Sequence, residues 1–222
     1  MARTDAPGLR PRGRLLAGWA LLVLAALLWS GVAPYDWATW LLEVAPVLLA
    51  APVLLATWRR YPLTTLLYGL ITLHALVLIL GGAYTYARVP LGFWLQDALQ
   101  LGRNPYDKIG HFMQGLVPAM VAREVLLQRG CLTSRRMAAF LAVCVAMAIS
   151  AVYELVEWAA ALALGQGADE FLGTQGDPWD TQSDMFYALI GAITALLCFS
   201  RMQDKQIAGL EIAYPAATTA KN

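Results

Sequence analysis

Charged residues are scarce in this chain of 222 residues. Only 14% of the residues are Asp, Glu, Lys or Arg, whereas 59% are hydrophobic; soluble domains carry about 25% charged residues. A surface so poor in charge suits hydrocarbon rather than water. The net charge of +1 gives no reason to expect nucleic acid as a partner. The composition therefore predicts an integral membrane protein, with the lipid bilayer as its surroundings.

Other absences narrow the classes of function. The three cysteines are Cys131, Cys144 and Cys198, and none forms a C-x-x-C pair, which argues against a disulfide framework or a zinc finger. The chain has no P-loop and no G-x-S-x-G motif, so neither a nucleotide-binding loop nor a serine-hydrolase elbow is indicated.

Six long apolar segments are present, each close to the roughly 20 residues that a helix needs to cross a bilayer. None alternates in the manner of a barrel strand. The sequence thus predicts an all-α, polytopic membrane helix bundle. Its domains are a cytoplasmic arm at 1–14, a transmembrane domain at 15–200 and a disordered cytoplasmic tail at 201–222. The predicted spans are 15–33, 39–57, 62–82, 106–127, 137–163 and 179–200.

The first span resembles a signal peptide, because Arg10, Arg12 and Arg14 precede it and Gly31-Val32-Ala33 resembles a cleavage site. Its apolar run exceeds the usual length, however, and a proline would follow the cut. We therefore expect an uncleaved first helix.

Basic residues alternate between the connections, which predicts the orientation of the chain. Thirteen of the 16 lie at the N-terminus, in the second connection, around the fourth connection or in the tail. The other side holds only Arg88, Arg103 and Lys108. Both termini are therefore predicted to be cytoplasmic.

With this orientation, most carboxylates fall on the external side, and three pairs stand at helix ends. Asp107 and His111 lie four residues apart at the start of the fourth span. Glu154 and Glu157 end the fifth span, and Asp180 and Asp184 begin the sixth. Residues three or four apart share a helix face, and ionisable groups within spans usually face the bundle interior. We expect the three pairs to converge.

One imidazole among several carboxylates is a donor set for a divalent metal such as Mg, Mn, Zn or Fe. We predict His111, Glu157, Asp184 and Asp107 as metal ligands, and Glu154 and Asp180 as catalytic acid–base groups.

Each residue also has a structural explanation, and these stay open. Asn104-Pro105 and Asp177-Pro178 have the pattern of helix N-termini, where Asp107 and Asp180 would serve as first-turn or capping acids. Lys108 would neutralise Glu154 and Glu157, and His111 would satisfy a neighbouring carboxylate.

His74 would be a packing or hydrogen-bonding residue. Arg123-Glu124 would extend to the membrane surface. The stretch 90–99 would form a helix lying flat in the interface.

The same residues resemble a known family. Tyr106 to Phe112, Arg123-Glu124, Tyr153 to Trp158 and Gly176 to Met185 are similar to the YjdF-like family of bacterial inner-membrane proteins. The resemblance runs from the second span to the sixth. It implies a multi-pass protein of a bacterial inner membrane and supplies no reaction.

A second resemblance, to VanZ-like membrane proteins, rests on Asp107, Lys108, His111 and Phe112. That family's link to glycopeptide tolerance implies lipid or envelope-glycan chemistry.

Three functions follow as alternatives. The first is a metal-dependent enzyme acting on a lipid or envelope-linked substrate. The second is a small ion-coupled transporter, supported by the ionisable groups and Pro118 within the spans. The third is an accessory protein that binds a partner, in which the charge cluster only holds the helices together.

Overall fold

The computed structural model describes residues 9–164 and 174–213, and these residues form helices and turns without a β-strand. A 3-10 turn at Tyr86–Arg88 links the third and fourth α-helices. The α-helices, numbered in chain order, are α1 Leu9–Ser30, α2 Trp37–Thr57, α3 Thr65–Tyr84, α4 Pro90–Leu99, α5 Tyr106–Gln128, α6 Arg135–Leu164 and α7 Asp180–Ala213. The protein is therefore a helical membrane bundle.

Five helices are long and apolar enough to cross a membrane, namely α1, α2, α3, α6 and α7. Helix α5 matches the predicted fourth span and has 23 residues, which gives it a length of about 34 Å. It is more polar than the others, and Asp107, Lys108, Arg123 and Glu124 along it are buried. The count of six spans and the cytoplasmic placement of the termini stay predictions.

Helix α5 is the centre of the bundle and packs against α7, α6 and α3. Its contact with α7 brings two backbones together. A Cβ added at Gly115 would collide with the carbonyl of Ala188, and one added at Gly191 with the carbonyl of Phe112. Small residues allow such close approach between membrane helices. The glycines thus bring the polar side chains of α5 and α7 within reach of one another.

The ends of two helices differ from the sequence prediction. Helix α1 begins at Leu9, within the arm predicted at 1–14. Helix α7 continues to Ala213, so the prediction of disorder was wrong for 201–213; positions 214–222 lie outside the described residues. The physical reason is that this extension contacts α5 through Gln203 and Asp204. The predicted helix at 90–99 is confirmed as α4, and its place in the interface stays a prediction.

The expectation that Arg123 and Glu124 extend to the membrane surface was wrong. Their side chains are 3% and 0% exposed. We call the group of hydrogen-bonded side chains around them the Glu124 network, which consists of Thr64, Arg123, Glu124, Gln128 and Gln203.

The carboxylate of Glu124 is fully bonded within this network. Its Oε1 accepts from the backbone N–H of Thr64 at 2.6 Å and from Gln128 at 3.0 Å. Its Oε2 accepts from the Thr64 hydroxyl at 2.6 Å and from Gln203 at 3.0 Å. Arg123 donates to Gln203 and to Asp204, each at 2.7 Å. The network joins α3, α5 and α7 at one end of the bundle.

Candidate functional site

At the other end of α5, the first two turns carry Asp107, Lys108 and His111, all buried. Asn104 fixes where this helix begins. Its Oδ1 accepts from the backbone N–H of Tyr106 at 3.0 Å, and its amide donates to the carbonyls of Ala87 and Val89. Pro105 rather than Asn104 is the N-cap residue, so the predicted cap is displaced by one residue. The side chain of Asn104 still holds the start of α5 in place.

Helix α7 presents Asp180 and Asp184 to Lys108. The ammonium donates to Asp180 at 2.7 Å and to Asp184 at 2.6 Å. Lys108 therefore neutralises the α7 aspartates, and the prediction that it pairs with Glu154 and Glu157 was wrong. The reason is the rotation of α5 about its own axis. The side chain of Lys108 points towards α7, whereas His111 contacts Glu154 of α6.

Arg103 binds the aspartates on the α7 side of the site. Its guanidinium contacts Asp180 at 2.6 Å and Asp177 at 3.1 Å, and it donates to the carbonyl of Thr174. Partial burial disfavours the charged guanidinium, but the hydrogen bond to Asp180 and the negative charges of Asp180, Asp177 and Asp107 together outweigh it, so the pKa of Arg103 is raised. Asp180, considered a capping acid in one interpretation, instead binds two cations. Asp177 accepts from the backbone N–H of Trp179 and stabilises the turn before α7.

His111 has carboxylates on both sides of its ring. Its Nε2 lies 3.4 Å from Asp107 and 3.7 Å from Asp184. Its Nδ1 lies 3.7 Å from Glu154 and 3.1 Å from the amide oxygen of Gln114. A neutral imidazole offers one lone pair, and the group bound to the other nitrogen decides which nitrogen offers it.

Two sets of side chains have ligand atoms within 4.8 Å of one another and share His111. One set is Asp107, His111 and Asp184; the other is His111, Glu154 and Glu157. The structure therefore brings together the residues predicted as ligands, but it divides them between the two ring nitrogens of one imidazole. We call the whole group the carboxylate cluster, which consists of Asp107, Lys108, His111, Glu154, Glu157, Asp180 and Asp184.

Two buried carboxylate oxygens of the carboxylate cluster, Asp107 Oδ2 and Glu154 Oε1, have no hydrogen-bond partner among the described residues. Asp107 is 7% exposed and Glu154 8%. Buried polar atoms nearly always have a partner, and an exception calls for an explanation such as an ion or water. The carboxylate cluster has more acceptors than its own donors can satisfy.

Sequence reasoning assigned no role to four residues that the structure places at the site. Arg103 and Gln114 contact the carboxylate cluster directly. Glu43 of α2 is buried and interacts electrostatically with Asp107 and His111. The hydroxyl of Tyr153 lies 3.4 Å from Glu43 Oε2. The signal for Glu43 was present, since it is a lone acid within an apolar run. No pattern in the sequence marks the other three.

His74, in the middle of α3, has no hydrogen-bond partner for its buried Nε2 within the described part of the chain. Nε2 therefore does not make the hydrogen bond that one interpretation assigned to His74.

Known proteins similar to this chain are membrane proteins. Residues 15–205 match the family described as "Predicted membrane protein (DUF2238)". The "Inner membrane protein YjdF" of Escherichia coli (strain K12) is 60% identical over 188 residues, which cover 85% of this chain and 90% of that protein. No solved structure matches. The chain therefore belongs to the DUF2238 family of membrane proteins and is a multi-pass protein of a bacterial inner membrane.

Proposed function

We propose that the protein is a membrane enzyme that binds a divalent cation in the carboxylate cluster and hydrolyses an ester or phosphoester of a lipid or lipid-linked substrate. The observation that carries the proposal is the unpaired, buried Oε1 of Glu154 beside His111. A bound cation would supply the partner that this oxygen lacks.

The cation belongs on the Glu154 side of the imidazole. On the opposite side, Lys108 already neutralises Asp180 and Asp184. Glu154 and Glu157 both come from α6, and with His111 they offer two carboxylates and one nitrogen. Mn, Zn and Fe accept such mixed donors, whereas Mg prefers oxygen alone. His111 would bind through Nδ1 in this arrangement, which requires the Gln114 amide, whose oxygen lies 3.1 Å from Nδ1, to turn away when the cation binds.

The remaining carboxylates then have supporting roles. A metal-bound histidine usually donates its second ring N–H to a carboxylate, which fixes the ring orientation. Asp107 and Asp184 stand 3.4 and 3.7 Å from Nε2 and are placed for this role. Asp180, predicted as a catalytic group, would position Lys108, and Glu154 would be a ligand rather than a general base.

The cation would polarise the substrate oxygen and make its bound water acidic. Hydrolysis there would consume one water, whose hydroxyl group would go to the acyl or phosphoryl group and whose proton would go to the departing alcohol. A lipid substrate is supported by location, because the carboxylate cluster lies where α5, α6 and α7 meet, and α6 and α7 are apolar enough to cross a membrane.

The test is metal binding to the purified full-length chain in detergent, after chelator treatment and dialysis. We expect one Mn²⁺ or Zn²⁺ per chain, and a loss of affinity of roughly a hundredfold in His111→Ala and Glu157→Gln. Asp97→Asn is the matched control, because Asp97 is an exposed acid of α4. Released fatty acid, phosphate or alcohol is then measured in vesicles of bacterial inner-membrane lipid. Wild-type protein that binds no divalent ion would refute the proposal.

A further inference from the structure

Helix α2 contains a proline at a position where it affects the backbone next to Glu43. Pro46 lies inside the helix and has no N–H, so the carbonyl of Leu42, four residues earlier, cannot form its normal helical hydrogen bond. In a membrane span, a freed carbonyl has no bulk water to bond to and must find another partner. The freed carbonyl stands directly beside an ionisable side chain.

Two tyrosine hydroxyls approach these oxygen atoms. The hydroxyl of Tyr153 lies 3.5 Å from the Leu42 carbonyl and 3.4 Å from Glu43 Oε2. Tyr86 also hydrogen-bonds Glu43, and burial raises the pKa of Tyr86 well above its usual range, so its hydroxyl remains protonated. A hydroxyl has one proton to donate, and therefore Tyr153 cannot satisfy both acceptors at once.

The surrounding backbone is shaped to accommodate this group of oxygens. A Cβ added at Gly81 or Gly110 would overlap the ring of Tyr86, and one added at Gly82 would lie 3.2 Å from Glu43 Cβ. Thr85, the residue before Tyr86, has a φ of 55°, which a β-branched residue rarely adopts. Strained backbone of this kind tends to occur at functional sites. Glycines and strain together place Tyr86 against Glu43.

We propose that the Leu42 carbonyl, the Glu43 carboxylate and the hydroxyls of Tyr86 and Tyr153 bind a monovalent alkali cation, Na⁺ in particular. All four donors are oxygen atoms, the ligands of a hard cation. Membrane proteins use backbone carbonyls released from helical bonding to coordinate Na⁺ in the same way. One carboxylate balances one positive charge; of the charged groups next to Glu43, Asp107 adds to the attraction for a cation, whereas a protonated His111 opposes it.

This alkali site goes beyond the proposed function, because it uses different residues and a different ion. Helix α2 contributes its charged ligand, whereas α5 and α6 contribute the ligands of the divalent site. The two sites lie within electrostatic range of each other through Asp107 and His111. Binding at one therefore changes the charge that the other experiences.

The experiment measures binding of ²²Na⁺ to the purified full-length protein, with N-methyl-D-glucamine as the balancing cation and with divalent ions chelated. We expect saturable binding of one Na⁺. Glu43→Gln should weaken it by tenfold or more, and Pro46→Ala, which restores a donor for the Leu42 carbonyl, by a measurable factor. Pro52→Ala is the matched control, because Pro52 lies in the same helix and is exposed; its affinity should equal that of the wild type.

Tyr153→Phe, which keeps the ring and removes only the hydroxyl, provides a second variant if Glu43→Gln does not fold. All variants are repeated in the His111→Ala background, which removes the divalent site. Sodium binding that survives there supports the inference whatever the fate of the proposed enzyme. No saturable Na⁺ binding to the wild type, or equal binding to the wild type, Glu43→Gln and Tyr153→Phe, would overturn it.

Discussion

The two ends of α5 each bury a group of charged side chains, but they satisfy them differently. In the Glu124 network, both oxygens of the carboxylate accept two hydrogen bonds each, and the buried atom left without a partner is a donor, Nε of Arg123, rather than a carboxylate oxygen. In the carboxylate cluster, Asp107 and Glu154 each retain an oxygen without a hydrogen-bond partner among the described residues, although Lys108 and His111 lie 3.7 Å from these oxygens. A buried polar group left unpaired destabilises a fold. The first group therefore suits a structural role, and the second suits a bound ion.

The charge balance shows the same contrast. Arg123 pairs with Asp204, and Arg135 pairs with the same carboxylate. At the carboxylate cluster, Lys108 and Arg103 are both engaged by aspartates of the α7 side. Glu154 and Glu157 lie on the α6 side, where their ligand atoms and that of His111 are all within 4.8 Å of one another. Such a concentration of acid on one side of a histidine is stabilised by a bound cation, by a protonated imidazole or by protonation of the carboxylates.

The largest expected effect comes from breaking the Glu124 network. In Glu124→Ala, the backbone N–H and the hydroxyl of Thr64 lose the carboxylate as acceptor, and the amides of Gln128 and Gln203 each lose one of two acceptors. We expect the free energy of unfolding to fall by about 3 kcal/mol or more. Thermal unfolding in detergent measures this loss. Divalent-metal affinity in the protein that still folds should equal that of the wild type, and a parallel loss of metal affinity would contradict a purely structural role.

A change midway between the two regions should damage both. Gly115→Ala places a methyl group where the Ala188 carbonyl lies, so α5 and α7 must separate. We expect a loss of about 1–3 kcal/mol of stability, together with weaker metal binding, because Asp184 would move away from Nε2 of His111, the ligand that it helps to orient. Gly209→Ala is the control on α7, since a Cβ there meets nothing within 4 Å. Unchanged stability in Gly115→Ala would show that the helices are not in close contact.

The smallest effect is expected at an exposed acid outside both regions. Asp36 caps α2 by accepting from the backbone N–H of Thr39 at 2.8 Å, and this bond lowers the pKa of Asp36 below its ordinary value of 3.8. Asp36→Ala should lower the free energy of unfolding by about 1 kcal/mol at neutral pH.

The effect of Asp36 should depend on pH with a known sign. Because the folded-state pKa is the lower one, the stabilisation is present above 3.8 and is lost as the pH falls through the folded value. Unfolding curves of the wild type and Asp36→Ala should therefore converge in acid. A difference that grows as the pH falls would contradict the cap.

The helices themselves were predictable from hydropathy. The predicted spans at 39–57 and 106–127 correspond to Trp37–Thr57 and Tyr106–Gln128. The pairing of residues three and four apart also located Asp107, His111 and Asp184 correctly on inward faces, since helical periodicity alone determines which side chains share a face.

Contacts between distant helices could not be predicted in the same way. Whether Lys108 meets α6 or α7 depends on the rotation of α5 about its axis, which the glycine contacts determine. Glu124 turns inward because Gln203 lies opposite, on a part of α7 beyond its predicted end. The partners of Glu43 come from a strained turn and from α6, and no local pattern indicates either.

The most direct test compares two buried glutamates changed in the same way, one at each end of the bundle. Divalent-metal affinity and metal-free thermal stability are measured for Glu154→Gln and Glu124→Gln. We predict that Glu154→Gln loses metal binding by roughly a hundredfold without losing stability, whereas Glu124→Gln loses stability and keeps its metal affinity. Equal behaviour of the two variants, or a wild-type chain that binds no divalent metal, would contradict the assignment of the carboxylate cluster as the ion site.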